Sequence, residues 1–295
     1  MSIKKAIFVV AGFGTRFLPA TKAQPKEMLP IVNKPIIQYL VEEAVEAGIE
    51  EIIFVTGRGK NSIENHFDKS YELEDILAQK GKKAILSEVS QIADLANFAY
   101  VRQPVQKGDG HAMLCAKPFV DHEEPLLMIF PDYIMPQGNQ TIKKMLDLYN
   151  LKGQMVIATD YVPKAKVSDY GVIDFEPTEN ESIVSVKRFV EKPKREEAPS
   201  NLISIGYAVL TPNIWNYLGK AESSTQDAEV RVADAFIKML EDGHQILAIK
   251  PEKEGYDCGS ILGFLKATVD FGLERDDLGD EFRNFLKNKV ETGSI

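Results

Sequence analysis

The sequence predicts an α/β protein built on a Rossmann-like, doubly wound mixed sheet, and three observations predict it. Apolar strand-like runs alternate with helix-periodic runs through residues 1–160, the pattern of a parallel sheet covered by helices on both faces. The first run, Ala6-Ile7-Phe8-Val9-Val10, breaks at once into a loop carrying Gly12 and Gly14. No Gly/Ser-rich or Pro-rich linker interrupts the chain, so residues 1–295 are expected to form a single domain with a helical C-terminal arm.

The elements follow in order. Lys34-Pro35 opens a helix in which Ile36, Ile37, Leu40, Val41, Ala44 and Val45 recur at three- and four-residue spacing, and Gly48 stops it; proline suits a first helical turn. Glu51–Thr56 is a strand, and strand–helix–strand in succession requires a right-handed crossover and parallel pairing. Ser62 is expected to cap a short helix reaching His66, with Tyr71–Gln79 helical and 84–95 partly so. Strands at 98–102, 125–130 and 154–159 enclose helices at 111–117 and 141–149. Three strand-like runs then come together, at 170–175, 182–191 and Leu202–Leu210, expected as added, partly antiparallel strands. Helices at 212–218 and 231–241, a strand at 246–250, and helices at Ile261–Leu273 and 278–287 complete the chain.

Composition narrows the function. With 35 basic and 44 acidic side chains the net charge is −9, which disfavours DNA or RNA as a partner yet leaves room for local cationic pockets. Cys115 and Cys258 are expected to be reduced, buried thiols of a cytoplasmic protein. The N-terminal apolar run is too short for a signal peptide, and nothing is long enough to span a membrane.

The chemistry concentrates between Phe8 and Pro30. Gly12 and Gly14 let the backbone turn sharply, and successive N–H groups there form a concave seat for anions. Arg16 can grip phosphate oxygens in pairs, and Lys26 adds a point charge. A strand, a glycine loop and two cations describe a seat for a nucleoside triphosphate. Phe17 stands where a dinucleotide fingerprint needs its third glycine, and no P-loop is present. Asp132 follows an apolar strand, where open parallel sheets bind ligands, although an aspartate there also suits a turn or cap. Asp257 is a second carboxylate candidate or a helix N-cap. Gln103 can pair with the edge of a base. Glu191-Lys192-Pro193-Lys194 alone reads as a solvated charge cluster.

Together, G-x-G-T-R-x-x-P from Gly12, Lys26 within P-K-E-M-L-P, V-T-G-R-G-K at 55–60 and E-K-P-K at 191–194 resemble the sugar-nucleotide pyrophosphorylases. The P-K-E-M-L-P form points to their bacterial UTP–glucose-1-phosphate uridylyltransferase branch, and the resemblance covers residues 7–286. It implies a nucleotidyltransferase fold with a nucleotide-binding half (1–160), a sugar-binding half (161–260) and C-terminal helices (261–295). By that resemblance Ala11 and Gly12 meet base and ribose, Gly14 and Glu27 lie at the nucleotide, and Gln103 and Gly108 read uracil. Arg16, Lys26 and Lys192 would be catalytic; Gly171, Glu191, Lys192, Gly206 and Glu229 would hold the sugar phosphate; Asp132 and Asp257 would hold Mg²⁺. UTP and glucose 1-phosphate are the implied partners, and a homodimer or homotetramer the implied assembly. The chain departs from the family pattern at Asp109, Asp227-Ala228, Arg231 and Ile261. Two rival readings stand beside this one: the same chemistry with dTTP, and a non-catalytic paralogue that binds a UDP-sugar and regulates a partner.

Overall fold

The computed structural model describes residues 3–224 and 229–293, so Asp227 and Ala228 lie outside the described residues. The strands are β1 (Lys5–Val9), β2 (Pro30–Ile31), β3 (Lys34–Pro35), β4 (Glu51–Thr56), β5 (Asn97–Arg102), β6 (Leu126–Ile129), β7 (Tyr133–Ile134), β8 (Met155–Tyr161), β9 (Gly171–Pro177), β10 (Ile183–Glu191), β11 (Leu202–Leu210), β12 (Ile246–Ile249) and β13 (Tyr256–Asp257). The helices are α1 (Ile36–Glu46), α2 (Asn61–Phe67), α3 (Tyr71–Gln79), α4 (Lys83–Ile92), α5 (Asp109–Ala116), α6 (Thr141–Lys152), α7 (Ile214–Ser224), α8 (Val232–Glu241), α9 (Ile261–Leu273) and α10 (Gly279–Glu291).

Strand side chains alternate between faces, and the sheet has a separate core on each. Phe8 of β1 joins Leu40, Phe54 and Ile142 on one side, while its neighbour Ile7 joins Ile53, Met113 and Trp215 on the other. Burial on both faces is what continuous apolar runs such as Leu126–Ile129 require. The sheet runs β5-β4-β1-β6-β11-β8-β12-β10-β9. β5, β4, β1 and β6 pair in parallel, as does β8 with β12, and β10 pairs antiparallel with both β12 and the edge strand β9.

The doubly wound expectation holds, with three differences of detail. β11 is not appended to the sugar side but inserted antiparallel at the centre, between β6 and β8. Its register shifts between Ser204 and Ala208, around Gly206 at φ +84°. That irregularity bends the strand, so that Ile203 also reaches Val172 of β9 while Tyr207–Leu210 pair with β6. Ser62 does not cap α2: Lys60 occupies the N-cap, and the Ser62 hydroxyl lies buried in the first turn with no partner among the described residues. Pro35 likewise stands at the N-cap of α1 rather than inside its first turn. Cys258 is buried but Cys115 only partly so, and neither joins a disulfide among the described residues. Among the described residues no helix is long and apolar enough to cross a membrane.

Candidate active site

β1 delivers the chain into the glycine loop, where Gly14 opens a short 3-10 turn, Thr15–Phe17, and its carbonyl accepts the Thr21 hydroxyl at 2.7 Å. A second turn, Lys26–Met28, follows. These segments border a cavity of about 400 Å³ whose walls include Ala11, Gly12, Lys26, Glu27, Gln103 and Gly108. The Gln103 amide nitrogen donates to the Gly108 carbonyl at 2.8 Å and lies 3.0 Å from His111 Nδ1. Gln106 donates to the Ala11 carbonyl at 3.0 Å and ties this turn to the end of β1.

Gly108, at φ +98°, packs where a Cβ would sit 2.3 Å from the Val230 carbonyl oxygen. The Val230 amide donates to the Lys107 carbonyl (2.7 Å), the Gly110 amide to the Val230 carbonyl (2.9 Å) and the Val232 amide to Asp109 Oδ1 (2.8 Å). This lacing brings Glu229, paired with Arg231 at 2.7 Å, to the cavity of Ala11 and Gln103 rather than to that of Glu191 and Lys192, where the resemblance had put it. Asp109 borders both cavities, and burial pushes its carboxyl up to about 6 against the pull of the Val232 amide.

The cations and carboxylates meet at the junction. Lys26 Nζ lies 2.6 Å from Asp132 Oδ2. Burial works to lower the Lys26 ammonium, but the Asp132 and Glu27 carboxylates hold it above its ordinary value. Burial works to raise Asp132, but Lys26 and Arg16 hold it below. Asp257 Oδ2 accepts the Tyr170 hydroxyl at 2.6 Å, and its Oδ1 accepts the Gly259 amide at 3.0 Å. A methyl carbon on Gly259 would lie 3.0 Å from Asp257 Oδ1, 3.2 Å from Asp132 Oδ2 and 3.5 Å from Arg16 Nη1, so all three predicted groups face one point. Two hard carboxylates sharing such a point suit a small divalent cation that completes its shell with phosphate and water oxygens. Among the described residues no third acidic, His or Cys ligand joins them.

Glu27 is in the cavity wall, but its carboxylate is 1% exposed and turned inward, 2.7 Å from Lys60 Nζ. Its Oε1 is buried with no partner among the described residues, so Lys60 is its direct ion pair, with Lys26 acting on it at longer range. Burial lowers the Lys60 ammonium despite Glu27.

A second cavity, of about 240 Å³, adjoins the first and shares Asp109, Phe130 and Asp132 with it. Gly171, Glu191, Lys192 and Gly206 line it, as do Arg16 and Asp257. Glu191 ends β10, where burial raises its carboxyl. Lys192 takes φ +44°, a conformation costly without glycine; its amide donates to the Tyr170 carbonyl at 3.0 Å, and its Nζ is 3.7 Å from Glu191. Four groups at or behind the site carry no separate signal in the sequence: Lys60, Gln106, Tyr170 and Asp160. Lys60 alone stood inside a motif, V-T-G-R-G-K, that gave it no role.

The nucleotidyl transferase family model matches residues 5–272, a span that contains every group described above, and the chain belongs to that family. Within it the likeness is narrower. A UTP–glucose-1-phosphate uridylyltransferase of Staphylococcus epidermidis is 46% identical over 285 residues, covering 97% of this chain and 98% of that protein. The structure of a UTP-bound UGPase from Acinetobacter baumannii superposes with a TM-score of 0.87 at 41% identity, over 96% of this chain and 98% of that one. A UDP-glucose pyrophosphorylase complexed with UDP-glucose gives 0.82 at 40% identity, over 92% and 100%.

Proposed function

We propose that the protein transfers a uridylyl group from UTP to glucose 1-phosphate, forming UDP-glucose and pyrophosphate. The observation that carries this reading is the pair of adjoining cavities with Arg16, Lys26, Asp132 and Asp257 at their junction. A nucleotide in the first and a sugar phosphate in the second would bring α-phosphorus and attacking oxygen together there. The similarity to named uridylyltransferases supports the choice of substrates.

The sugar-phosphate oxygen attacks the α-phosphorus in line, and pyrophosphate leaves on the opposite side. No covalent enzyme intermediate is needed, so the protein's contribution is positioning and charge neutralisation. Arg16 holds the leaving β- and γ-phosphates, Lys26 takes up charge developing on the α-phosphate and pyrophosphate, and Lys192 orients the attacker. Glu191 accepts from sugar hydroxyls, while Gly171 and Gly206 bring backbone against the hexose. Gln103 has its amide nitrogen committed to Gly108 and His111, which leaves its oxygen as an acceptor, the complement of a uracil imide N–H. Ala11 and Gly12 would contact base and ribose, with Gly14 shaping the loop. Asp132 and Asp257 would hold Mg²⁺, which supplies charge neutralisation between the two phosphate groups.

We further infer a cytoplasmic homodimer or homotetramer in which residues 1–160 serve the nucleotide and 161–260 the sugar. Incubation of the protein with UTP, glucose 1-phosphate and Mg²⁺ tests the reaction. Equal amounts of UDP-glucose and pyrophosphate are expected, with neither formed when any one component is left out; absence of both products from the full mixture removes the proposal.

A further inference from the structure

Asp160, at the end of β8, is fully buried and lies outside both cavities, yet it touches the supports of both candidate cation ligands. Its Oδ2 accepts the Tyr133 hydroxyl and the Gly255 amide, each at 2.6 Å, and its Oδ1 accepts the Tyr161 amide at 2.6 Å. Tyr133 follows Asp132 directly, and Gly255 stands two residues before Asp257. The two segments pair as β7 and β13, with Asp257 opposite Tyr133 and Tyr256 opposite Ile134. Gly255 packs so closely on the Tyr133 ring that a Cβ would lie 2.5 Å from it. The Tyr133 carbonyl is fixed in turn by the Tyr207 hydroxyl at 2.5 Å.

Among the described residues no Lys, Arg or His pairs with Asp160, so an acidic group is buried with neutral donors as its hydrogen-bond partners and with the like-charged Glu254 carboxylate acting on it. Such burial is costly, and fold stability alone does not call for it. A carboxylate does offer what a neutral isostere cannot, acceptor capacity at both ends. An asparagine would present an NH₂ group either to the Tyr161 amide or to the Tyr133 and Gly255 donors.

We infer that Asp160 is a positioning residue that sets the spacing of Asp132 and Asp257, so that the two carboxylates meet a divalent cation as one site. The inference rests on the reading of Asp132 and Asp257 as the cation's ligands, and groups behind metal ligands typically control affinity 10–100-fold.

The test is Mn²⁺ titrated alone into the intact protein, with free Mn²⁺ counted by electron paramagnetic resonance and melting temperatures recorded alongside. Wild type is compared with Asp132→Asn, Asp160→Asn and Tyr133→Phe. Asp132→Asn should abolish binding. Asp160→Asn should raise the Mn²⁺ Kd roughly 10–100-fold, and Tyr133→Phe, which deletes one of the three bonds, about 3-fold or more. In turnover Asp160→Asn and Tyr133→Phe should show a raised KM for Mg²⁺ while kcat at saturating Mg²⁺ stays within about 3-fold of wild type. A lowered Tm with unchanged Mn²⁺ Kd in both Asp160→Asn and Tyr133→Phe would reduce Asp160 to a support of the fold and overturn the inference. Should Asp160→Asn fail to fold, Tyr133→Phe decides alone. Unchanged binding in Asp132→Asn would instead bring down the ligand reading, and this inference with it.

Discussion

Replacing Gly108 with alanine strikes the turn that joins the two halves of the site. Its backbone, at φ +98° and ψ 171°, lies in a region essentially reserved for glycine, where a side chain costs on the order of 1–3 kcal/mol. The new carbon would also sit 2.3 Å from the Val230 carbonyl oxygen and 2.8 Å from Glu229 Cγ. Relief requires the turn to part from segment 229–232, at the expense of the Val230–Lys107 and Gly110–Val230 hydrogen bonds, worth about 1 kcal/mol each. The combined loss of roughly 3–5 kcal/mol should lower the melting temperature by roughly 5–10 °C. Because the Gly108 carbonyl holds the Gln103 amide, the KM for UTP should rise about 10-fold, with kcat changed less. Calorimetry and pyrophosphate release at varied UTP measure the two effects. A variant melting within about 1 °C of wild type with an unchanged KM would refute the lacing of these segments as the determinant of the base-reading end.

Three further outcomes follow from the geometry. Lys26→Ala removes a preorganised donor from the developing charge and should lower kcat by roughly 10² or more in a saturating pyrophosphate-release assay; a near-normal kcat would remove Lys26 from the reaction. Lys60→Met removes the cation hydrogen-bonded to the buried Glu27 carboxylate, leaving it the Coulombic attraction of Lys26, and should cost roughly 3 kcal/mol in denaturant unfolding, with Glu27→Gln in the same background recovering much of it. Asp109 has its carboxyl raised by burial to about 6 from 3.8, so its favourable contribution is full below the unfolded value and is lost as pH rises through about 6. Asp109→Asn, which keeps an acceptor for Val232, should therefore match wild type near pH 4 and exceed it at pH 7.5 by on the order of 1 kcal/mol, allowing for partial exposure. Equal Tm differences at both pH values would contradict this.

What the sequence revealed and what it hid divide along chain distance. Arg16, Lys26, Asp132 and Asp257 each stand in a short local pattern, after a strand or within a glycine loop, and the structure brings Arg16, Asp132 and Asp257 to one point, with Lys26 bonded to Asp132. The groups that escaped notice act through partners remote in sequence: Lys60 meets Glu27 across 33 positions, Tyr170 meets Asp257 across 87, and Gln106 meets Ala11 across 95. Nothing local to those residues signals such pairing. The sheet shows the same limit. Its alternating elements are readable from apolar periodicity, but the central place of β11 depends on a shift of register around Gly206 that periodicity does not encode. Ser62 illustrates the opposite error, a favourable cap residue that stands second in its helix, two positions past the N-cap.

The most direct measurement is pyrophosphate release in Mg²⁺ with glucose 1-phosphate and either UTP or dTTP, run in parallel on the same preparation. Release with UTP well above that with dTTP is expected from a uridylyl-transferring site. Release with dTTP equal or faster, or none with either nucleotide, would contradict it.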